Sequence, residues 1–105
     1  MTTRARKVDL TRFWKKFLRL TRGRVAVLRA LTVISQEEED PRCRRLIEAL
    51  THTVEKGCPL SAAMAEHPQH FSRSVVELLK TAEKTGAWEE ILPEIVGGLE
   101  DGTFD

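Results

Sequence analysis

A repeating helical pattern of apolar residues runs through the chain and constrains its fold more than any other feature. In the first such segment the apolar residues follow the i, i+3, i+4, i+7, i+8 spacing of one face of an α-helix: Leu10, Phe13, Trp14, Phe17 and Leu18. No segment shows the apolar–polar alternation of a half-buried strand. The sequence therefore predicts an all-α protein.

Glycines, prolines and capping residues divide this pattern into six predicted helices. Asp9 is a candidate N-cap of the first helix, and Gly23 separates the first helix from the second. Asp40 and Pro41 suit the cap and first turn of a third helix, and Gly57 suits its C-terminal stop. The third helix is therefore the one with the most complete start and stop signals.

Prolines, glycines and capping residues also mark the helix boundaries in the second half of the chain. Pro59 begins a short fourth helix and Pro68 lies just past its end. Ser72 is a candidate cap of the fifth helix, and Gly86 ends it. Pro93 predicts that the sixth helix either begins near residue 92 or kinks, because a proline is costly inside a helix. Since the connections are short, we expect an antiparallel six-helix bundle with one short helix.

Length and composition fit one globular domain. The chain has 105 residues, of which 41% are hydrophobic and 31% charged. It has no apolar run near the ~20 residues needed to span a bilayer. We expect a cytoplasmic protein with a basic tail at residues 1–8, a helical domain at 9–100 and a C-terminal tail at 101–105.

The residues that best fit a metal or nucleophilic site are Cys58, His67 and His70. Structural zinc takes four ligands, usually in close pairs, whereas these histidines flank Pro68 in a turn and need not converge. The chain has no P-loop, GxGxxG or HExxH motif. We therefore interpret it as a non-enzymatic protein with no catalytic residue, metal, cofactor or small-molecule substrate, and the two histidines as exposed loop residues.

The charge is unevenly distributed along the chain. Residues 1–36 carry ten Lys/Arg and one acid, whereas residues 37–105 carry seven Lys/Arg and fifteen acids. We expect the acidic run Glu37–Asp40 to be a solvated loop. Five cations recur at helical spacing on the first helix, opposite its aromatic residues, and we call them the basic stripe: Arg12, Lys15, Lys16, Arg19 and Arg22.

Several interpretations of the basic stripe stay open at this point. It suits a solvated helix face, an acidic protein partner, anionic lipid headgroups or nucleic acid, although the motifs typical of nucleic-acid binding are missing. The charge asymmetry also suits complementarity within the chain or between two copies in a dimer. The sequence alone does not choose among them.

One ordered set of residues resembles the F domain of type II secretion systems. It lies within GCPLSAAMAEHPQHF and AEKTGAW, and its members are Gly57, Leu60, Ser61, Pro68, Phe71, Glu83 and Gly86. We call these the motif residues. The resemblance extends from about residue 10 to residue 100, with Ala82 where the family has glycine and Trp88 where leucine is usual.

The resemblance implies a six-helix bundle that is often a homodimer. It also implies a scaffold of a type II secretion or type IV pilus platform, which links the assembly ATPase to other platform subunits at the cytoplasmic face of the inner membrane. Family members have two such domains and several membrane helices. Glu83 would be a structural or interface acid, or would bind a divalent cation at a subunit interface. The rival hypothesis is a stand-alone adaptor that binds an anionic partner through the basic stripe.

Overall fold

The computed structural model describes residues 10–22 and 26–100, and this part of the chain contains six α-helices and no strand. The helices are α1 (Thr11–Arg22), α2 (Val27–Glu37), α3 (Pro41–Glu55), α4 (Leu60–Ala65), α5 (Arg73–Thr85) and α6 (Trp88–Glu100). The all-α class, the number of helices and the short fourth helix are confirmed. The predicted Asp9 cap and the Gly23 break lie outside the described residues.

The start and stop signals of α3 act as the sequence predicts. The carboxylate of Asp40 accepts a hydrogen bond from the backbone N–H of Arg42 at 2.9 Å, and Pro41 occupies the first turn. At the other end Gly57 adopts φ of +101°, a left-handed conformation that costs glycine little. Local chemistry therefore sets both ends of this helix.

The fifth helix is bounded in the same way. The hydroxyl of Ser72 accepts a hydrogen bond from the N–H of Val75 at 3.3 Å. Gly86 has φ of +79° and donates its N–H to the carbonyl of Ala82 at 2.8 Å. The predicted cap and stop of α5 are confirmed.

The sixth helix excludes one of the two alternatives that Pro93 predicted, and the kink stays a prediction. It begins at Trp88 rather than near residue 92, and Pro93 lies inside it. Proline has no N–H, so the carbonyl of Glu89 cannot receive the helical hydrogen bond that position 93 would otherwise donate. Leu92 and Ile95 are fully buried on the same helix. Tertiary packing of this apolar face therefore outweighs the local cost of the proline.

The helices close into a ring. Each helix contacts its neighbours in sequence, and α6 also packs against α1. An aromatic cluster sits at this closure: Trp14 makes an edge contact with Phe71, and Phe17 one with Trp88, each with ring centroids 6.3 Å apart. Trp14, Phe17 and Phe71 are all buried. Aromatic edge contacts stabilise packing beyond the burial of apolar area alone. This cluster therefore helps to hold α1 against α6 and against the segment before α5.

Candidate functional site

The contact between Glu83 of α5 and Ser61 of α4 joins two of the motif residues. One carboxylate oxygen of Glu83 accepts the backbone N–H of Ser61 at 2.9 Å, and the other accepts its hydroxyl at 2.6 Å. The N-cap position of α4 is Pro59, whose side chain makes no capping bond. Glu83 therefore satisfies a free N–H in the first turn of α4 from a different helix.

The other motif residues shape the surroundings of this contact. Leu60 and Phe71 are buried, at 3% and 2% exposure. Gly57 and Gly86 supply the left-handed turns that end α3 and α5. Pro68 is exposed in the turn between α4 and α5. The motif thus surrounds the junction of α3, α4 and α5.

The basic stripe contributes to ion pairs with distant acids. Arg12 donates to Glu38 at 3.0 Å, although the Arg12 side chain is 65% exposed and that of Glu38 only 2%. The same Glu38 oxygen accepts the N–H of Asp40 at 3.1 Å. Arg12 therefore compensates a buried carboxylate and is not simply a free surface cation.

Two more stripe residues are paired at the surface. Lys15 lies 2.8 Å from Glu100 at the end of α6, and Lys16 lies 3.2 Å from Glu37 at the end of α2. Arg19 is exposed and makes no hydrogen bond or ion pair with the described residues. Arg22 lies in α1, but its side chain is outside what the structure describes. Complementarity within the chain therefore accounts for part of the charge asymmetry.

The acidic run before α3 is not uniformly solvated, which corrects the sequence interpretation. Glu37 and Glu39 are exposed, but Glu38 is buried at 4% exposure. Besides its side-chain contacts, Glu38 accepts a hydrogen bond from Arg44 on its backbone carbonyl at 3.2 Å. The run of four adjacent acids does not indicate that Glu38 is buried, because its partner Arg12 is 26 residues away in the sequence.

The two cysteines lie in different environments. Cys43 is buried and Cys58 is exposed. Burial, followed by the nearby carboxylates of Glu38 and Asp40, raises the pKa of the Cys43 thiol from 9.0 to about 11. Cys43 is therefore a neutral thiol near pH 7, which is poorly suited to nucleophilic chemistry.

The histidines are less exposed than predicted. His67 and His70 are both half-buried, whereas His52 is exposed. Among residues 10–22 and 26–100, no group of three or more His, Cys, Asp or Glu side chains could hold a metal ion. The divalent-cation alternative for Glu83 stays a prediction.

Nearly all of the described bundle corresponds to a known protein family. The family model described as "Type II secretion system (T2SS), protein F" matches residues 13–101. This chain therefore belongs to the type II secretion system protein F family. The match confirms the resemblance drawn from the motif residues, and it begins three residues after the first residue of the apolar pattern.

Individual relatives come from both secretion and pilus systems. Type IV pilus assembly protein TapC of Aeromonas hydrophila is 32% identical over 71 residues, which cover 68% of this chain and 17% of TapC. Type II secretion system protein F of Xanthomonas campestris pv. campestris is 31% identical over 72 residues, covering 69% of this chain and 18% of that protein. PilC of Pseudomonas aeruginosa is 22% identical over 92 residues, covering 88% and 25%.

The chain thus spans a quarter or less of the length of the relatives it matches. Those relatives are named as pilus assembly or secretion proteins, and none of these names states a catalytic activity. Within the described residues, no helix is both long and apolar enough to cross a membrane.

Proposed function

We propose that this chain is a non-enzymatic interaction domain of a type II secretion or type IV pilus assembly platform, acting as a homodimer. It links the assembly ATPase to other inner-membrane platform components and works at the cytoplasmic face of that membrane. The observation that carries the proposal is the family match over residues 13–101, which includes every helix of the bundle except the first two residues of α1.

The internal chemistry of the bundle supports a binding role. The motif residues contribute turns, buried side chains and one intramolecular carboxylate contact. Cys43 lies near the carboxylates of Glu38 and Asp40 but is a buried thiol with a raised pKa, and Cys58 is exposed. These features suit a domain that transmits movement through binding surfaces.

The basic stripe is the surface we propose for contact with an acidic partner. Arg19 is its clearest contributor, because it is exposed and without an ion pair to the described residues. Lys15 pairs at the surface and keeps a side-chain exposure of 52%, so it can exchange Glu100 for a partner carboxylate at little cost. Arg12 is less available, since Glu38 depends on it.

The rival function is that of a stand-alone adaptor, which keeps the bundle but binds an unrelated anionic partner. The same stripe favours it, so the two functions differ in the identity of the partner. If the adaptor's partner is nucleic acid, that binding should weaken steeply with salt because counterions are released, whereas dimerisation of the chain through apolar surface should tolerate salt.

Affinity capture from the source cell tests the proposal. The tagged chain is used as bait at low and at moderate salt, and captured material is identified by mass spectrometry and stained for nucleic acid. We expect a secretion or pilus ATPase, or platform subunits, retained at moderate salt. Recovery of nucleic acid or only unrelated soluble proteins would overturn the platform role and favour the adaptor.

A matched pair of charge reversals tests the basic stripe within that experiment. Arg19→Glu should reduce capture of the partner. Arg45→Glu is the control, because Arg45 is also exposed and has no ion pair within the described part of the chain, but lies on α3. Equal capture by both variants and the unaltered chain would remove the stripe from the binding surface.

A further inference from the structure

A single carboxylate connects α1 to the turn between α2 and α3. One oxygen of Glu38, Oε2, accepts a hydrogen bond from the guanidinium of Arg12 at 3.0 Å and another from the backbone N–H of Asp40 at 3.1 Å. Asp40 is the residue that caps α3. Arg12 therefore reaches from the first helix to the residues that begin the third.

The two members of this ion pair differ in their exposure. The side chain of Glu38 is 2% exposed, whereas that of Arg12 is 65% exposed and belongs to the basic stripe. Among the described residues, Arg12 is the only cation that forms an ion pair with Glu38. A buried carboxylate is costly without a cation, so Glu38 holds Arg12 more firmly than a surface acid would.

Other cations of the basic stripe are held less firmly. Lys15 and Lys16 pair with acids whose side chains are 48% and 57% exposed. Arg19 forms no ion pair with the described residues. Surface pairs contribute little to stability, so an incoming carboxylate displaces them at small cost. Transfer of Arg12 to another carboxylate, in contrast, changes the interior of the fold.

We propose that Glu38 is an internal competitor for Arg12, which keeps this cation inside the fold until a carboxylate of an acidic partner, bound along the basic stripe, takes its place. The inference rests on the proposed binding role of the basic stripe and adds its regulation. Two carboxylates at one guanidinium repel each other. Their effects on the pair are reciprocal, so weakening the contact between Arg12 and Glu38 strengthens partner binding, and partner binding weakens the contact.

The structural consequence of the exchange falls on the start of α3. Once Arg12 leaves, the buried charge of Glu38 is uncompensated and the turn has to open to hydrate it. Burial, and then the nearby carboxylate of Glu38, raise the pKa of the Cys43 thiol, so this thiol lies beside the same side chain. Cys43 is only 3% exposed. A rise in its reactivity therefore measures the opening.

Titration with a synthetic oligoglutamate peptide tests the competition. Binding of this defined acidic probe to the purified full chain is followed by fluorescence polarisation at low ionic strength, and circular dichroism confirms that each variant is folded. Glu38→Gln frees Arg12 and should tighten binding roughly tenfold. Glu37→Gln is the matched control. It removes the same charge at the preceding position, but from a surface pair, and should tighten binding less than about threefold.

A double-variant cycle locates the effect at Arg12. In an Arg12→Ala chain there is no cation to compete for, so Glu38→Gln should change the peptide affinity no more than Glu37→Gln does. A Glu38→Gln chain that binds the peptide as the parent chain does, or more weakly, would overturn the competition and leave the basic stripe as a binding surface. Absence of peptide binding by every folded chain would overturn both.

Labelling of Cys43 tests the exchange with Glu38 unaltered. In a Cys58→Ser chain Cys43 is the remaining thiol, and saturating oligoglutamate should speed its reaction with maleimide several-fold. An uncharged oligoglutamine peptide is the control and should leave the rate unchanged. A rate that also stays unchanged at saturating oligoglutamate would show that the bound peptide leaves Glu38 paired, and would overturn the inference.

Discussion

Glu83 on α5 binds Ser61 on α4 through both of its carboxylate oxygens, at 2.9 Å to the backbone N–H and 2.6 Å to the hydroxyl. The α4 helix has only six residues and a proline at its cap position. A helix this short is unstable in isolation, so it depends on contacts from outside. The contact explains why Ser61 and Glu83, 22 residues apart, occur in one motif.

Replacing this carboxylate should destabilise the bundle. We expect Glu83→Gln to lower the free energy of unfolding by about 1–2 kcal/mol, because an amide keeps one acceptor oxygen and hydrogen bonds to charged groups are the stronger ones. Urea denaturation followed by circular dichroism measures the change. Glu48→Gln, at an exposed position of α3, serves as the control and should change stability little.

A double-variant cycle separates the contact from other effects of Glu83. If the two side chains act through each other, Ser61→Ala should cost little further stability once Glu83→Gln is present. Fully additive losses would show that Glu83 stabilises the fold by some other route.

Replacing the glycines that end α3 and α5 should lower the stability of the protein, whereas replacing a glycine inside α6 should raise it. Gly57→Ala and Gly86→Ala should each cost about 1–2 kcal/mol, because alanine resists positive φ. A Cβ at either site meets nothing within 4 Å, so the cost is in the backbone alone. Gly97→Ala in α6 has equal space and should raise stability by about 0.5–1 kcal/mol. Thermal denaturation of the three variants checks this order.

Removal of the proline within α6 should stabilise the protein. Pro93→Ala restores a donor for the carbonyl of Glu89, and alanine is favoured over proline inside a helix by about 3 kcal/mol. We expect a gain of about 1–3 kcal/mol in the free energy of unfolding, lessened by the greater freedom of the unfolded chain. A loss of stability would mean that the half-buried proline ring contributes more by packing than it costs in the backbone.

The two cysteines should differ in reactivity. With a pKa of about 11, Cys43 is almost entirely a neutral, buried thiol at pH 8, whereas Cys58 is exposed. Maleimide labelling of the native chain should stop at one thiol, and Cys58→Ser should abolish it. Rapid labelling of both would contradict the buried position of Cys43.

The raised pKa of Cys43 also predicts a pH dependence with a definite sign. The folded state binds the thiol proton more tightly than the unfolded chain, so the stabilisation is complete below about pH 9 and is lost as the pH rises towards 11. Cys43→Ala should flatten the stability profile in this window. An unchanged profile would assign the alkaline loss to other groups.

Two members of the basic stripe should differ in their effect on stability. Arg12→Ala leaves the buried carboxylate of Glu38 without its cation, and we expect a loss of about 1–3 kcal/mol. Lys16→Ala removes a more exposed pair and should cost less than about 1 kcal/mol. Urea denaturation of both variants compares the costs, and equal costs would contradict a structural role for Arg12.

The helix boundaries were accessible to sequence reasoning because their signals are local. Asp40 and Ser72 cap the helix that follows them, and Gly57 and Gly86 end helices within one or two residues. Apolar spacing likewise located the core, since Phe17 and its neighbours on α1 are buried. Pro93 left the start of α6 undecided between two alternatives, because its local cost is outweighed by packing from other helices that the sequence does not show.

The contacts that shape the candidate site depend on residues far apart in sequence. Lys15 contacts Glu100 only because α6 packs against α1. The spacing of residues along the chain does not predict that packing. Burial of Glu38 is hidden for the same reason. The joint order of the motif residues indicated the family, but the contact between Ser61 and Glu83 required the positions of α4 and α5.

Direct binding to the assembly ATPase tests the central claim most sharply. The purified chain is titrated into the purified secretion or pilus ATPase of the same cell by isothermal calorimetry, at low and moderate salt. The platform role predicts saturable binding that persists at moderate salt and weakens with Arg19→Glu. A folded chain that shows no binding to the ATPase at any salt concentration, yet retains nucleic acid or another anionic partner, would contradict that role.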